Sequence, residues 1–558
     1  MSDDFSRLLD EARAHRDAGR LDEAVAAYRR ALESSPGQAD ANAEAADVLH
    51  ALGDREAAVG LYRRAVAADP SRAGAWWGLG CALDALGDHA GAAEAFRTLA
   101  GLAPEHGQTL HNLGRSLYEL GRVDEAMDCF ERAIGALPGD AACVPLTNMA
   151  MIVPGSSAAS PAAILDCRRR WASRCLPQPA PPRRGAGSAA RPRIGYVSAS
   201  FDRRNWMKPV FGLLNHHDRE RFEIHLFSDG PPPPAGSGYH ADPRDRWHAT
   251  GPLANEALVG RIVAERIDVL VDLNGHGRPS RLGVFASRPA PVQVAWFNAY
   301  ATSGLDVFDA MIGDAHVCPP GRGEESLFSE PIVRLPGTYL PFEVGYPVPE
   351  VAPPPCLEAG QTTFGCLAPQ YKITPEVIEA WARILEMAPD SRLLLKSVVL
   401  GKAAARELVR GEFARRGVSP DRLTLEGPDE HFAFLERYAA IDIALDTFPY
   451  NGGTTTMEAL WQGVPVLCFD GDRWASRISA SIVREAGLPE LVASDRDAHV
   501  AQAIAMALDP ATPERLADLR RSLRDRLRAS PACAAAALAR GMERIYEDLL
   551  AGRRPAES

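Results

Sequence analysis

Glycine recurs at positions 19, 53, 87 and 121, a step of 34 residues. Alanine keeps the same step at 24, 58, 92 and 126, and an aromatic follows each by four: Tyr28, Tyr62, Phe96 and Phe130. Pro36, Pro70, Pro104 and Pro138 close the units. Self-similarity at a fixed long period restricts a chain to stacked supersecondary units, because no single unit buries its own apolar face. The glycine suits a turn between two helices. The alanine lets them approach, the aromatic fills the space between neighbours, and the proline ends the second helix.

This period and residue order are the tetratricopeptide pattern, so residues 1–138 are expected to form four helix pairs. Such an array has a concave surface. It can hold peptide segments, or it can serve only to pack against the rest of the chain.

After Pro138 the register is lost. Residues 139–192 read as a helical connector that runs into the linker LPQPAPPRRGAGSAARPR (176–193). Short apolar runs then alternate with helical stretches. RIGYVSASF (193–201), FEIHLFSD (222–229), IDVLVDLNG (267–275), VQVAWF (292–297) and FDAMIGD (308–314) are predicted strands of a first lobe, 193–345. YPVPEVAPPPCLEAGQ (346–361) breaks the pattern. TTFGCL (362–367), SRLLLKS (391–397), LTLEG (423–427), DIALD (442–446) and VPVLCF (464–469) then resume it in a second lobe, 361–512. Residues 513–558 are again helical and are expected to cross back onto the first lobe. The fold class is therefore α + α/β, with helical repeats followed by two parallel-sheet lobes. The cleft between the lobes, beyond the carboxyl ends of the strands, is the expected site.

Length and charge narrow the function. A chain of 558 residues should divide into several domains. The net charge of -12 and the lack of a basic domain argue against a nucleic-acid partner, though not against a local basic pocket. The ten cysteines form no CxxC pair, so neither a zinc site nor a disulfide framework is signalled. The first residues are acidic and helical in pattern rather than a signal peptide, and no apolar run is long enough to span a membrane. A reducing cytoplasm is the expected compartment.

Asn451-Gly452-Gly453 follows the strand 442–446 and precedes a helix starting near Thr454. Free amides at a helix start attract an anion, and glycine lets it approach the backbone. Thr454, Thr455 and Thr456 add hydroxyl donors. A tight turn with a threonine cap explains one glycine and one threonine, not five such residues in a row. Lys372, past the first strand of the second lobe in LAPQYKITP (367–375), suits a cation for the same anion. Glu458, one turn into the helix, can accept from sugar hydroxyls or merely complement the helix dipole. No GxxxxGK[ST] motif occurs, so the loop is not a P-loop. Asp470-Gly471-Asp472 resembles a metal-binding DxD, but it reads as a loop because no further ligand lies near it. In the first lobe, SFDRRNWMKPV (200–210) carries Arg203, Arg204 and Lys208 towards the expected cleft, and His276 follows a strand in LNGHG (273–277). His216 and His217 read as a polar helix end.

Repeats, connector and two lobes together resemble the O-linked N-acetylglucosamine transferases of glycosyltransferase family 41, which include SPINDLY-type and bacterial relatives. The resemblance is carried by RPAPVQVAW (288–296), YKITP (371–375), DIALDTFPYNGGTTTMEALWQGVPVL (442–467) and SRISAS (476–481). It implies a GT-B fold and an inverting transfer from a nucleotide sugar to protein Ser or Thr. UDP-N-acetylglucosamine is the expected donor, with no metal or other cofactor, and the repeats would present acceptor proteins. Under the resemblance Lys372 would neutralise the leaving diphosphate. Gly453, Thr454 and Thr455 would bind it, with Tyr371, Asn451, Gly452 and Thr456 completing the nucleotide-sugar set. Glu458 would take the place of the residue that holds the ribose.

The chain also departs from the family pattern. Arg204 stands where relatives carry a histidine after the first strand, which leaves Arg204 and His276 as the catalytic candidates of the first lobe. The usual WLGYPxT reads Trp296-Phe297-Asn298-Ala299-Tyr300-Ala301-Thr302. Phe434 replaces a histidine before the DIALD strand, with His431 close by. Gly453 replaces another histidine, as in SPINDLY-like members. These departures leave two alternatives: another donor, GDP-fucose or a nonulosonic acid for flagellin, or a degenerate repeat scaffold.

Overall fold

The four repeat glycines all adopt left-handed backbone, with φ of +73°, +85°, +72° and +82°. A side chain there would be strained, which is why the period is written in glycine. Each glycine joins one helix to the next: Asp3–Asp17 to Leu21–Ser34, Ala39–Ala51 to Arg55–Ala68, Ala73–Ala85 to His89–Leu102, and Gly107–Glu119 to Val123–Ala136. Ala24, Ala58, Ala92 and Ala126 are fully buried, and Tyr28, Tyr62, Phe96 and Phe130 are buried against them. The expected four helix pairs are present. This computed structural model describes residues 3–176 and 191–554. Most of the predicted linker, 177–190, lies outside the described residues.

Two helices, Cys143–Ile152 and Pro161–Cys175, lead from the repeats to the first lobe. Its strands are β1 (Arg193–Ser198), β2 (Glu223–Ser228), β3 (Arg246–Ala249), β4 (Val269–Asp272), β5 (Val292–Ala295), β6 (Ala310–Asp314) and β7 (Ile332–Leu335). They form one parallel sheet in the order β3-β2-β1-β4-β5-β6-β7. The second lobe holds β8 (Thr363–Cys366), β9 (Arg392–Lys396), β10 (Leu423–Glu426), β11 (Ile443–Leu445), β12 (Val466–Phe469) and β13 (Val492–Ala493), ordered β10-β9-β8-β11-β12-β13. The strands predicted in each lobe are present. Three further strands, β3, β7 and β13, lie at sheet edges, are two to four residues long and are not among those expected from the sequence. So short a run carries too little alternation to be read as a strand.

The lobes are joined by packing and charge. Trp474 of the second lobe lies edge-on to Tyr339 of the first, and its Nε1 donates to Tyr339 Oη at 3.0 Å. Arg477 forms a two-pronged pair with Glu324 at 2.6 and 3.0 Å. The C-terminal helix Ala535–Leu550 returns to the first lobe as expected. There Glu543 accepts from His217 at 2.9 Å, and Tyr546 Oη meets Tyr196 Oη at 3.1 Å. His217 is therefore a buried docking residue, not the polar helix end its sequence suggests.

The repeats share a core with the second lobe. Val399 and Ala405 belong to the same apolar cluster as Phe96 and Phe130. Gly121 sits so close to the loop after β8 that an added Cβ would lie 2.3 Å from the Ile373 carbonyl oxygen.

Candidate active site

A cleft of about 850 Å³ opens between the lobes at the carboxyl ends of their strands. This volume suits a nucleotide-sized ligand. The chain after β8 turns through Gln370–Lys372 before the helix Pro375–Met387, which is capped by Thr374 Oγ1 accepting from Val377 N. Lys372 is buried at the bottom of the cleft. Its Nζ donates to the Asn451 carbonyl at 2.7 Å and lies 3.8 Å from the centre of the Tyr450 ring. Burial lowers its pKa to about 8, against the opposing pull of Asp446 and Cys366.

The loop after β11 supplies the anion-binding half. Gly452 N donates to Asp446 Oδ1 at 3.0 Å, and a Cβ at Gly452 would lie 2.7 Å from the hydroxyls of both Thr455 and Thr456. Glycine is required for the turn to close. At Gly453 a Cβ would meet only Ile478 at 3.6 Å, so this residue leaves open space towards the cleft. The helix Thr454–Trp461 begins there, and its first internal bond runs from Met457 N to the Gly453 carbonyl at 3.0 Å. Among the described residues the amides of Gly453, Thr454 and Thr455 have no acceptor. Lys372 and three free amides therefore share one wall with Tyr371, Asn451 and the threonine side chains of 454 and 455.

Several predicted residues are placed differently. Thr456 does not line the cleft; it is buried, and its hydroxyl meets Ser479 Oγ at 2.8 Å. Gly452 shapes the turn rather than contributing a free amide. Glu458 reaches the cleft, but its Oε1 accepts from Lys208 Nζ at 2.9 Å. Lys208 also donates to the Asn205 carbonyl at 2.7 Å, and burial leaves it in a lobe-bridging ion pair instead of facing solvent in the cleft. Burial presses on both charges, and their attraction keeps Lys208 protonated. His276 is removed from the site altogether. Its Nε2 bonds to the Ser303 carbonyl at 2.9 Å, its ring lies 4.6 Å from Trp171, and burial followed by Arg168 drives its pKa well down. A neutral imidazole walled off in this way is structural. Arg204 does line the cleft, with its guanidinium 5.8 Å from the Tyr346 ring.

The far end of the cleft holds residues that the sequence reading passed over. Lys396, at the end of β9, is buried and pairs with Asp429 at 2.6 Å. His431 lines the same end, its pKa lowered to about 4 by burial, Lys208 and Arg204. The lysine closing LLLK is a strand-end signal of the kind that identified Lys372. Asp470 and Asp472 of the DxD-like loop are each held by an arginine, Arg484 and Arg473.

The fourth repeat also reaches the cleft. Tyr118 stacks on Tyr371 at 5.0 Å, Tyr371 leans on Tyr450 at 6.4 Å, and Tyr450 stacks on Tyr300 at 4.6 Å. Glu119 lines the cleft beside them.

Comparison with known proteins agrees with this architecture. Residues 9–73 and 77–141 match a tetratricopeptide repeat family. The tomato (Solanum lycopersicum) protein described as a probable UDP-N-acetylglucosamine--peptide N-acetylglucosaminyltransferase SPINDLY is 33% identical over 364 residues, 64% of this chain and 38% of the relative. The Arabidopsis thaliana protein of the same description, SEC, is 27% identical over 342 residues, 58% of this chain and 34% of the relative. The chain thus spans well under half the length of these plant proteins. A solved structure of a Thermobaculum terrenum O-GlcNAc transferase mutant superimposes with a TM-score of 0.75 at 31% identity, covering 92% of this chain and 98% of that one. The two lobes, residues 180–344 and 360–537, match the sequence model of glycosyl transferase family 41. With both lobes matched in sequence and the whole architecture shared with a solved relative, the chain belongs to glycosyl transferase family 41, with tetratricopeptide repeats ahead of a GT-B fold.

Proposed function

We propose that the protein transfers N-acetylglucosamine from UDP-N-acetylglucosamine to Ser or Thr hydroxyls of proteins, with inversion and without a metal. The observation that carries this reading is the convergence of Lys372 Nζ with the unpartnered amides of Gly453, Thr454 and Thr455 on one cleft wall. In the transfer, the bond between sugar C1 and the diphosphate oxygen breaks, and its electron pair passes to the diphosphate. Preorganised donors stabilise that developing charge, the role a metal plays elsewhere. The descriptions of the plant relatives and the solved neighbour support the choice of sugar and acceptor. The repeats, continuous with the cleft through Tyr118 and Glu119, would deliver the acceptor. The ten cysteines are free and suit a reducing compartment; no helix among the described residues is long and apolar enough to cross a membrane.

A guanine-nucleotide donor is the second reading. Glu430 lines the far end of the cleft, where a carboxylate can accept from the N–H groups of guanine. Thermal-shift measurements against UDP-, GDP- and CMP-sugars separate the readings, since a ligand of the folded state raises its melting temperature. A shift with UDP-N-acetylglucosamine supports the first, and a shift with a GDP-sugar alone supports the second. No shift with any nucleotide would leave the repeat scaffold.

A further inference from the structure

Glu119 is the last residue of the helix Gly107–Glu119, so the repeat domain itself places a carboxylate on the cleft wall. Its neighbour Tyr118 begins the row of rings that passes through Tyr371 to Tyr450, and Lys372 sits on the Tyr450 face. Glu119 and Lys372 thus line the same cleft from different parts of the chain, Glu119 from the fourth repeat and Lys372 from the second lobe. Two other carboxylates of the cleft are already engaged, Glu458 by Lys208 and Asp429 by Lys396. Glu119 makes no hydrogen bond or close ion pair among the described residues. The charged groups facing it are Asp84, His89 and Arg115 of the repeats and Arg278 of the first-lobe loop after β4, with Tyr118 and Tyr371 beside it.

We propose that Glu119 is the general base that takes the proton from the acceptor hydroxyl. The proposal rests on the transferase reading above. An inverting displacement needs base and leaving group on opposite sides of the sugar carbon, and the cleft takes Glu119 from the repeat domain and Lys372 from the second lobe. The acceptor oxygen bonds to C1 as the bond from C1 to the diphosphate oxygen breaks. The leaving electron pair goes to the diphosphate beside Lys372, and the hydroxyl proton goes to a Glu119 carboxylate oxygen. Burial raises the pKa of Glu119, the direction that suits a base working near neutral pH. Glu119 faces both the repeats and the first lobe, so an acceptor chain lying along the repeats would reach it as it enters the cleft.

The test uses the full chain, UDP-N-acetylglucosamine and a library of Ser/Thr peptides. Glu119→Gln should lower kcat about 100-fold, leave KM for the donor within two-fold, and keep the melting-temperature shift caused by UDP. The wild type should lose rate at acid pH, and Glu119→Gln should lack that acid limb. Formate at high concentration should restore transfer to Glu119→Ala. Asp202→Asn, which alters another cleft carboxylate, should stay within three-fold of wild type. The assignment is overturned by a Glu119→Gln rate within three-fold of wild type, by an unchanged acid limb, by failure of formate rescue, or by loss in Asp202→Asn instead. A wild-type protein that shifts with UDP but transfers to no peptide also overturns it. Absence of any nucleotide shift overturns the donor-site reading itself, so the two failures are distinguishable.

Discussion

At the scale of residues, the site depends on which polar groups are left unsatisfied. Lys372 is held below its ordinary pKa by burial, so the unfolded chain binds the proton more tightly than the folded one. The charged lysine therefore costs stability in full below pH 8, and that cost fades as pH rises from about 8 towards 10.5. Urea denaturation of ligand-free protein should find Lys372→Met more stable than wild type at pH 7, with the difference smaller by pH 9.5. A wild type that is the more stable at pH 7 would contradict this. The threonines should separate as cleanly. Thr456→Ala should cost about 1 kcal/mol of stability through its lost bond to Ser479 and leave UDP affinity nearly unchanged. Thr455→Val should weaken UDP binding with little change in stability. Calorimetric titration and denaturation of both variants check the contrast.

At the scale of elements, the four repeat glycines look interchangeable in sequence but not in the fold. At Gly87 the nearest atom to an added Cβ is Lys402 Cε at 3.9 Å. Gly87→Ala should therefore cost only the left-handed strain, about 1–2 kcal/mol. At Gly121 the same change drives a carbon into the Ile373 carbonyl, beside the turn that carries Lys372. Gly121→Ala should lose more stability and also lower the transfer rate, as melting temperature and kcat measured together would reveal. Equal losses in the two variants would mean that the repeat does not brace the lysine turn. The helix pairs and the longer strands were legible because each carries several periods of an apolar pattern. Edge strands such as Arg246–Ala249 were not, since four residues at a sheet margin need bury few side chains. Lys372 was legible from its place at a strand end. His276 shares that kind of place and was misread, because only tertiary packing puts Trp171 and Ser303 around it.

At the scale of the whole molecule, repeats and lobes form one structure with shared cores. The first repeat packs with the first helix of the second in a separate cluster, Phe5, Leu8 and Tyr28 against Ala41, Ala45 and Val48, remote from the lobes. The later repeats share a cluster with Val399 and Ala405 of the second lobe. Removing residues 1–34 should therefore leave UDP binding intact. Removing 1–138 should expose the shared core and take Tyr118 and Glu119 from the cleft, giving an aggregating protein or one with no UDP shift. The role of Glu119 could not be read in advance, because nothing in a repeat sequence says which helix end will meet a cleft.

The most direct measurement is calorimetric titration of UDP into the wild type and Lys372→Met at pH 8.5, in buffers of different ionisation enthalpy. The diphosphate should restore the proton to the buried ammonium. Wild-type binding should then be accompanied by net proton uptake, and the variant should bind at least ten-fold more weakly with that uptake abolished. Equal affinity in the two proteins, or wild-type binding without proton uptake, would contradict a diphosphate held between Lys372 and the amides of Gly453–Thr455.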